Sequence, residues 1–207
     1  MIHNLSYPLG SSVNAYVPAQ LTTVHYATIQ NVISFVKSAP SIVFMAKVDI
    51  ESAFRIIPVA PKETPLLGFC WRDTFYMDAV LPMGCASSCA IFESFSTAIE
   101  WVAEYKLGLS KVIHVLDDFL LLTECKEKCD RDLRAFMDMC KQLGVPLVMG
   151  KTVGPGKTIQ FLGIAVDKVS MEARLPDNKL EKGRFGRSVR IHVLCDSVCK
   201  GILAAFN

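Results

Sequence analysis

The chain has 207 residues, 51% of them apolar and 20% charged, with a formal net charge of +2. That length suits one large domain, or one domain with a small appendage, and a mean hydropathy of +0.34 suggests a piece of a larger protein whose faces pack on missing neighbours. No apolar run approaches the ~18 residues that span a bilayer, and the start MIHNLSYPLG lacks the features of a signal peptide, so the sequence predicts an intracellular protein with no membrane partner and with reduced thiols.

Residues 1–24, rich in Ser, Pro, Asn and Gly, predict loop. Ile29, Val32, Ile33 and Val36 recur at helical spacing over residues 26–38, and Pro40 ends that stretch. IVFMAKVDI is a continuous apolar run and predicts a buried central strand that stops at Asp49. Leu66–Trp71 and Thr74–Val80 predict two strands joined by a turn at Arg72 and Asp73. The loop LPMGCASS follows, then a helix over 88–105 with Ile91, Phe92, Phe95, Ile99 and Val102 as its apolar stripe. KVIHVLDDFLLL, residues 111–122, predicts a strand, a tight turn and a strand. Residues 126–143 predict a second amphipathic helix with Leu133, Phe136, Met137, Cys140 and Leu143 inward and Gly144 as its C-cap. Residues 147–149 and 158–166 predict further strands, and the last thirty residues predict basic helix. Hairpins prevail over regular strand–helix alternation, which favours an α+β fold: an antiparallel sheet with helices packed on one face.

Charge is distributed unevenly. Residues 1–46 hold no acid, and Arg174, Lys179, Lys182, Arg184, Arg187 and Arg190 face only Asp177 and Glu181. Such a basic run suits a phosphate backbone or, equally, a solvated helix face. Six of the eight cysteines fall in pairs spaced by four (Cys85 and Cys89, Cys125 and Cys129, Cys195 and Cys199), a helical spacing without zinc-ligand pattern. They read as buried or incidental thiols.

Two acidic positions carry chemistry. Asp49 ends an apolar strand, and Asp117 and Asp118 sit between the apolar arms of a hairpin. Crowded, buried carboxylates repel one another unless a cation offsets them, and a hard divalent ion with oxygen ligands does so. Two such ions about 3.5–4 Å apart can activate a hydroxyl and stabilise a leaving oxygen in phosphoryl transfer. An acidic pair at a hairpin tip is also a common turn, so on the residues alone both readings stand. GKTVGPGKT lacks the glycine spacing of a phosphate-binding loop and runs into a strand, which argues against that reading. His114 reads as a packed or bonded core histidine, Trp71 and Trp101 as core or edge packing, and Glu51, Glu93 and Glu100 as helix or turn surface.

KVDIESAFRIIPV, LPMGCASSCAIFESFSTAIEW, HVLDDFLLL, LGVPLVMGK and FLG occur in that order, with Asp117 lying 68 positions after Asp49. This series resembles the palm motifs of reverse transcriptases, RNA-directed DNA polymerases, from about Ile2 to Leu180. The start HNLSYPLGSSVN, IESAFR and LPMGC resemble retrotransposons of the DIRS kind, alongside the retroviral type. The resemblance implies a polymerase palm over 41–172, with a fingers hairpin inserted at about 62–80, partial fingers over 1–40 and the start of a thumb over 173–207.

It further implies a site. Asp49, Asp117 and Asp118 match the family's metal-binding aspartates, with the Ile50 carbonyl as a further ligand, holding two Mg²⁺ or Mn²⁺ ions. Phe54 matches the aromatic that excludes a ribose 2′-OH. Pro82, Met83 and Gly84 match the loop that meets nucleotide and template. Lys151 matches a lysine that protonates or neutralises the departing pyrophosphate. Phe161, Leu162 and Gly163 match the primer-gripping turn. The implied partners are an RNA or DNA template with its primer, a dNTP, and the missing fingers, thumb, RNase H and recombinase parts of a larger polyprotein. Departures exist: Val115 stands where the family often has Tyr, Met83 where retroviral relatives have Gln, and the family's upstream basic segment lies outside the chain. A non-catalytic nucleic-acid-binding remnant and an RNA-templated RNA polymerase are the alternatives, Phe54 argues against the latter, and the isolated fragment is expected to be weak or inactive by itself.

Overall fold

The computed structural model describes residues 4–39, 42–176 and 190–192. Residues 13–16 and 19–21 form two single 3₁₀ turns in an otherwise irregular N-terminal segment. Helix α1 (Ile29–Ser38) begins where the Thr28 N–H donates to Asn31 Oδ1 at 2.8 Å, which satisfies one of the orphan donors of a first turn. At its far end Lys168 Nζ donates to the Val36 carbonyl at 2.6 Å.

Strand β1 (Phe44–Asp49) lies inside a sheet of order β4–β5–β1–β6, where β4 is Lys111–Val115, β5 Asp118–Thr123 and β6 Val153–Gly156. Every neighbouring pair is antiparallel. The two-residue period of a strand divides β1 between two cores. Ala46, Val48 and Ile50 join a cluster with Phe92, Ile99, Leu133, Phe136 and Cys140 of helices α2 (Ser88–Trp101) and α3 (Lys126–Gln142). Met45 faces the other way, with Val32, Ile33 and Val36 of α1 and with a second sheet. Burial on both sides explains why the strand reads as unbroken hydrophobicity. Phe92, Phe119 and Phe136 are fully buried, each worth roughly 1.5–3 kcal/mol of transfer energy.

The second sheet has order β10–β9–β8–β7 (β7 Thr158–Phe161, β8 Ile164–Asp167, β9 Glu172–Arg174, β10 Arg190–His192). The single strand expected over 158–166 is therefore a hairpin, turned at Leu162 and Gly163, whose φ values are 49° and 77°. A two-residue turn with both φ positive normally shows Asn-Gly, and the leucine hid it. Strand β10 also lies inside the stretch expected to be helical. The remainder of that stretch, with Cys195, Cys199 and the basic groups from Lys179 to Arg187, lies outside the described residues, as does most of the expected thumb.

Other expectations are trimmed. Residues 147–149 form no strand: Leu147 makes one bridge to Ile50, and 149–151 is a 3₁₀ turn. Strands β2 (Gly68–Trp71) and β3 (Thr74–Met77) pair as an isolated hairpin through Arg72 and Asp73 and end short of Val80. Helix α2 gives way to a π turn at 102–106. Ile91, Leu143, Trp71 and Trp101 are exposed, not packed inside. Cys85 precedes α2 and Cys125 precedes α3, so these pairs do not share a helix face, and all described cysteines are free thiols. Among the described residues no helix is long and apolar enough to cross a membrane.

Candidate active site

Strand register brings the acids together. Asp49, the last residue of β1, lies directly opposite Asp118, the first residue of β5. Opposed residues of an antiparallel pair project from the same face. That face carries Lys47, Met45, Leu120 and Leu122, not the α2–α3 core. Asp117 sits in the two-residue turn between Val115 and Asp118, and its carbonyl accepts the Ile50 N–H at 2.9 Å. On the other flank of β1, Val148 N–H donates to the Asp49 carbonyl and Glu51 N–H to the Pro146 carbonyl, each at 2.9 Å. This short pairing delivers Lys151, whose Nζ lies 3.0 and 3.2 Å from the two Asp49 oxygens.

Two lysines thus meet three carboxylates. Asp49 is 4% exposed and paired with Lys151. Lys47 Nζ lies 2.8 Å from Asp118 Oδ1, an atom buried without an aligned hydrogen-bond donor. Burial pushes the Asp118 carboxyl up, Lys47 opposes that, and Asp49 adds to it. Burial likewise raises Asp117, with Asp118 and Asp49 adding repulsion and Lys151 relieving it. The hydrogen bond to Asp49 and its charge raise Lys151. Among the described residues no cluster of His, Cys, Asp and Glu is already gathered around one metal position. The donors nevertheless fit a hard cation: all are oxygens, and three crowded carboxylates face only two ammonium groups.

The turn is gripped from below by α2. Leu116 has a φ of 51° at the first central position, where glycine is favoured. Such a conformation costs about 1–3 kcal/mol and persists only when its surroundings enforce it. Glu93 Oε2 accepts the Leu116 N–H at 2.9 Å, and Ser96 Oγ donates to the Leu116 carbonyl at 2.7 Å. Glu93 Oε1 lies 3.3 Å from His114 Nε2, and His114 Nδ1 lies 2.5 Å from Glu100 Oε2. The His114 ring stacks on Phe119 at 5.4 Å. Glu93, 8% exposed, is therefore not the surface group its helix position suggested, whereas His114 is the bonded core histidine expected. The sequence held no signal for Glu93, because its partner is a backbone group 23 positions away.

The other expected residues lie as follows. Ile50 is 1% exposed beneath Asp49. Phe54 is half-buried on a 3₁₀ turn, its ring 5.3 Å from Phe92 at 75°. The neighbouring Arg55 pairs with the buried Asp78 at the base of the β2–β3 hairpin. Pro82 is buried, while Met83 and Gly84 are exposed. Phe161 is fully buried and anchors the β7–β8 turn, leaving Leu162 and Gly163 half-exposed. Glu51 is exposed, as expected of a surface group.

Comparison with known proteins places this geometry. The sequence model of the family described as reverse transcriptase (RNA-dependent DNA polymerase) matches residues 7–166. The genome polyprotein of Petunia vein clearing virus is 29% identical over 119 residues, 58% of this chain and 5% of the polyprotein. The enzymatic polyprotein of Cestrum yellow leaf curling virus is 27% identical over 142 residues, 67% of this chain and 21% of that protein. The chain thus spans a small part of these relatives. The fold matches a foamy viral protease-reverse transcriptase solved with double-stranded DNA, with a TM-score of 0.69 at 16% identity, over 95% of this chain and 32% of the other. It also matches one solved with an RNA/DNA hybrid, with a TM-score of 0.68 at 16% identity, over 96% and 25% of the two chains.

Proposed function

This chain belongs to the reverse transcriptase (RNA-dependent DNA polymerase) family, and from that premise we propose that it adds deoxynucleotides to the 3′ end of a primer paired with an RNA or DNA template. The observation that carries the proposal is the opposition of Asp49 and Asp118 across β1 and β5, with Asp117 in the adjoining turn.

In this reading Asp49, Asp117, Asp118 and the Ile50 carbonyl would hold two Mg²⁺ or Mn²⁺ ions. When bound, the metal supplies Lewis-acid stabilisation of the attacking and leaving oxygens. The chain's own groups do the rest. Burial of Asp49 fixes one carboxylate, and the α2 clamp on Leu116 fixes the turn that carries the other two. Lys151 releases Asp49 and offers its proton or charge to the departing pyrophosphate. Phe54, braced on Phe92, closes the space a 2′-OH would need. Pro82, Met83 and Gly84 contact the nucleotide, and the Leu162–Gly163 turn seats the primer end.

The same reading assigns 41–172 to a palm, the hairpin at about 62–80 and residues 1–40 to fingers, and 173–207 to the start of a thumb. The separate β2–β3 sheet supports the inserted hairpin. Further domains of a polyprotein would complete the enzyme.

Primer extension by the purified chain with Mg²⁺ or Mn²⁺ tests the proposal, with dNTPs and rNTPs in parallel. Weak extension with dNTPs that Asp117→Asn abolishes is the expected result. Extension that survives this change would refute the site, and preference for rNTPs would favour an RNA polymerase. Silence of a folded wild-type chain would favour the non-catalytic remnant.

A further inference from the structure

The loop at 82–86 carries three of the residues assigned to the nucleotide, yet apart from a single β-bridge at Met83 it lies outside the strands and helices. Its shape depends on groups that reach it from elsewhere. From α2, Ser88 Oγ donates to the Pro82 carbonyl at 2.7 Å and the Ser88 N–H to the Cys85 carbonyl at 3.1 Å. The Gly84 carbonyl and the Ala86 N–H turn instead to a single side chain, 70 positions before Gly84. Asn14 Nδ2 donates to the Gly84 carbonyl at 2.9 Å, and Asn14 Oδ1 accepts the Ala86 N–H at 2.8 Å.

The carboxamide is itself held. Asn14 Nδ2 also donates to Ser6 Oγ at 2.9 Å, and the Asn14 N–H donates to the Leu5 carbonyl at 3.0 Å. Flipping the amide would set donor against donor at Ala86 and acceptor against acceptor at Gly84, so one orientation satisfies all partners. Gly84 stands at a φ of 106°, a conformation that its own missing side chain does nothing to enforce. An amide, with one donor edge and one acceptor edge, is the chemistry that can bracket such a peptide from both sides.

We propose that Asn14 is a positioning residue that fixes the backbone of 84–86 and so sets how tightly the site takes up a nucleotide. This rests on the reading that the loop meets the nucleotide. It links the N-terminal segment to the site through two hydrogen bonds at one loop. Aspartate at position 14 keeps the acceptor but loses both donated bonds and sets a carboxylate against the Gly84 carbonyl. Alanine loses all three side-chain bonds.

The test compares the wild-type chain with Asn14→Ala, Asn14→Asp and the control Thr22→Ala, whose hydroxyl bonds only within the N-terminal segment. Amide hydrogen exchange and single-dNTP incorporation are measured on each. Asn14→Ala should speed exchange in 84–88 by at least about tenfold while α3 stays protected. It should raise KM for dNTP by more than it lowers kcat, with Asn14→Asp intermediate and Thr22→Ala like wild type. Unchanged exchange in 84–88, acceleration spread equally over α3 and β1, or an unaltered KM in Asn14→Ala each overturn the proposal. If the wild-type chain incorporates no nucleotide, the polymerase reading fails with it, and the exchange measurement alone upholds or overturns the clamp.

Discussion

Asp49 and Asp118 face each other across the β1–β5 ladder, and each is already held by a lysine, Lys151 on the first and Lys47 on the second. Like charges opposed in an antiparallel pair are destabilising, so the fold tolerates this arrangement instead of drawing stability from it. Burial and mutual repulsion raise Asp117 and Asp118 in the folded state. A carboxyl raised in this way contributes stability that is complete below its unfolded value and lost as pH rises through its folded value. Asp118→Asn should therefore raise the metal-free Tm at pH 7, by roughly 2–4 °C, and change it less at pH 4. It should abolish nucleotide addition and the stabilisation that added Mg²⁺ gives the wild type. A metal-free Tm that falls at pH 7 would sink this account.

Lys151 holds Asp49 while remaining largely open to solvent, with 60% of its side chain exposed. It is thus free to leave Asp49 for a charged ligand. Lys151→Ala should lower kcat about 10²-fold or more, the range of general acid catalysis, and Lys151→Arg should restore part of it. Because the ammonium also offsets the acids, Lys151→Ala should lower metal-free stability. Rapid-quench kinetics with full retention of kcat in Lys151→Ala would remove the lysine from the chemistry.

Gly154 governs where that lysine arrives. A Cβ there would lie 2.6 Å from Ala46 Cα and 2.7 Å from the Met45 carbonyl, at a φ of +116°. Both neighbours are backbone of β1 and cannot yield. Gly154→Ala should cost roughly 2–4 kcal/mol, from overpacking and strain together, and should push β6 and the preceding Lys151 turn from β1. Gly150→Ala, where nothing lies within 4 Å, serves as the control and should be near neutral. Equal denaturation midpoints for the two variants would contradict the close approach.

These residues show what was legible in the sequence. Strand β1 could be read because burial on both faces leaves an unbroken apolar run, and its end at Asp49 falls in the candidate site. Asp117 and Asp118 could be read because a hairpin tip is local and its motif short. Glu93 and Asn14 could not, since each bonds backbone groups far along the chain, and a backbone partner leaves no pattern in side-chain identity. Lys47 escaped for a related reason: its meaning depends on the β1–β5 register, which places Asp118 beside it. Residue pattern alone ran a strand through the β7–β8 turn, because Leu162 occupies a position where chemistry prefers Asn or Gly, and only the resemblance marked a turn there.

Phe54 is held by its edge-on contact with Phe92, which is itself fully buried. A braced ring is a firm wall. Phe54→Val should raise the ratio of rNTP to dNTP kcat/KM by about 10- to 100-fold, the scale on which a pocket rejects an added hydroxyl. The half-exposed position keeps the stability loss below the 3–5 kcal/mol of a fully buried Phe→Ala, at about 1–2 kcal/mol. An unchanged ratio with dNTP activity retained would show that another group excludes the 2′-OH.

The charged network on the far side of the acidic hairpin gives the fold its own pH dependence. Lys111 Nζ lies 2.8 Å from Glu104 Oε1 and 3.5 Å from Glu100 Oε1, while Glu100 Oε2 meets His114. Burial alone would raise Glu100, but the hydrogen bond and charge of His114, then Lys111, hold it below its ordinary 4.5. A lowered carboxyl contributes stability that is complete above its unfolded value and lost as pH falls through its folded value. Burial alone would lower Lys111, yet Glu104 and Glu100 carry it above 10.5, so its contribution is complete below that pH and lost as pH rises through the folded value. Between the two limits the wild type should show a stability plateau. Glu100→Gln should lower that plateau by about 1–3 kcal/mol, the cost of breaking a charge-assisted bond in a part-buried site. The gap to wild type should be full above the ordinary 4.5 and close as pH falls through the lowered folded value of Glu100. Urea titrations across that range measure it, and a gap that stays constant from acid to neutral pH would mean that Glu100 acts by packing and not by charge. Because His114 also touches Glu93, which grips Leu116, the same variant should loosen the turn and lower kcat more than KM.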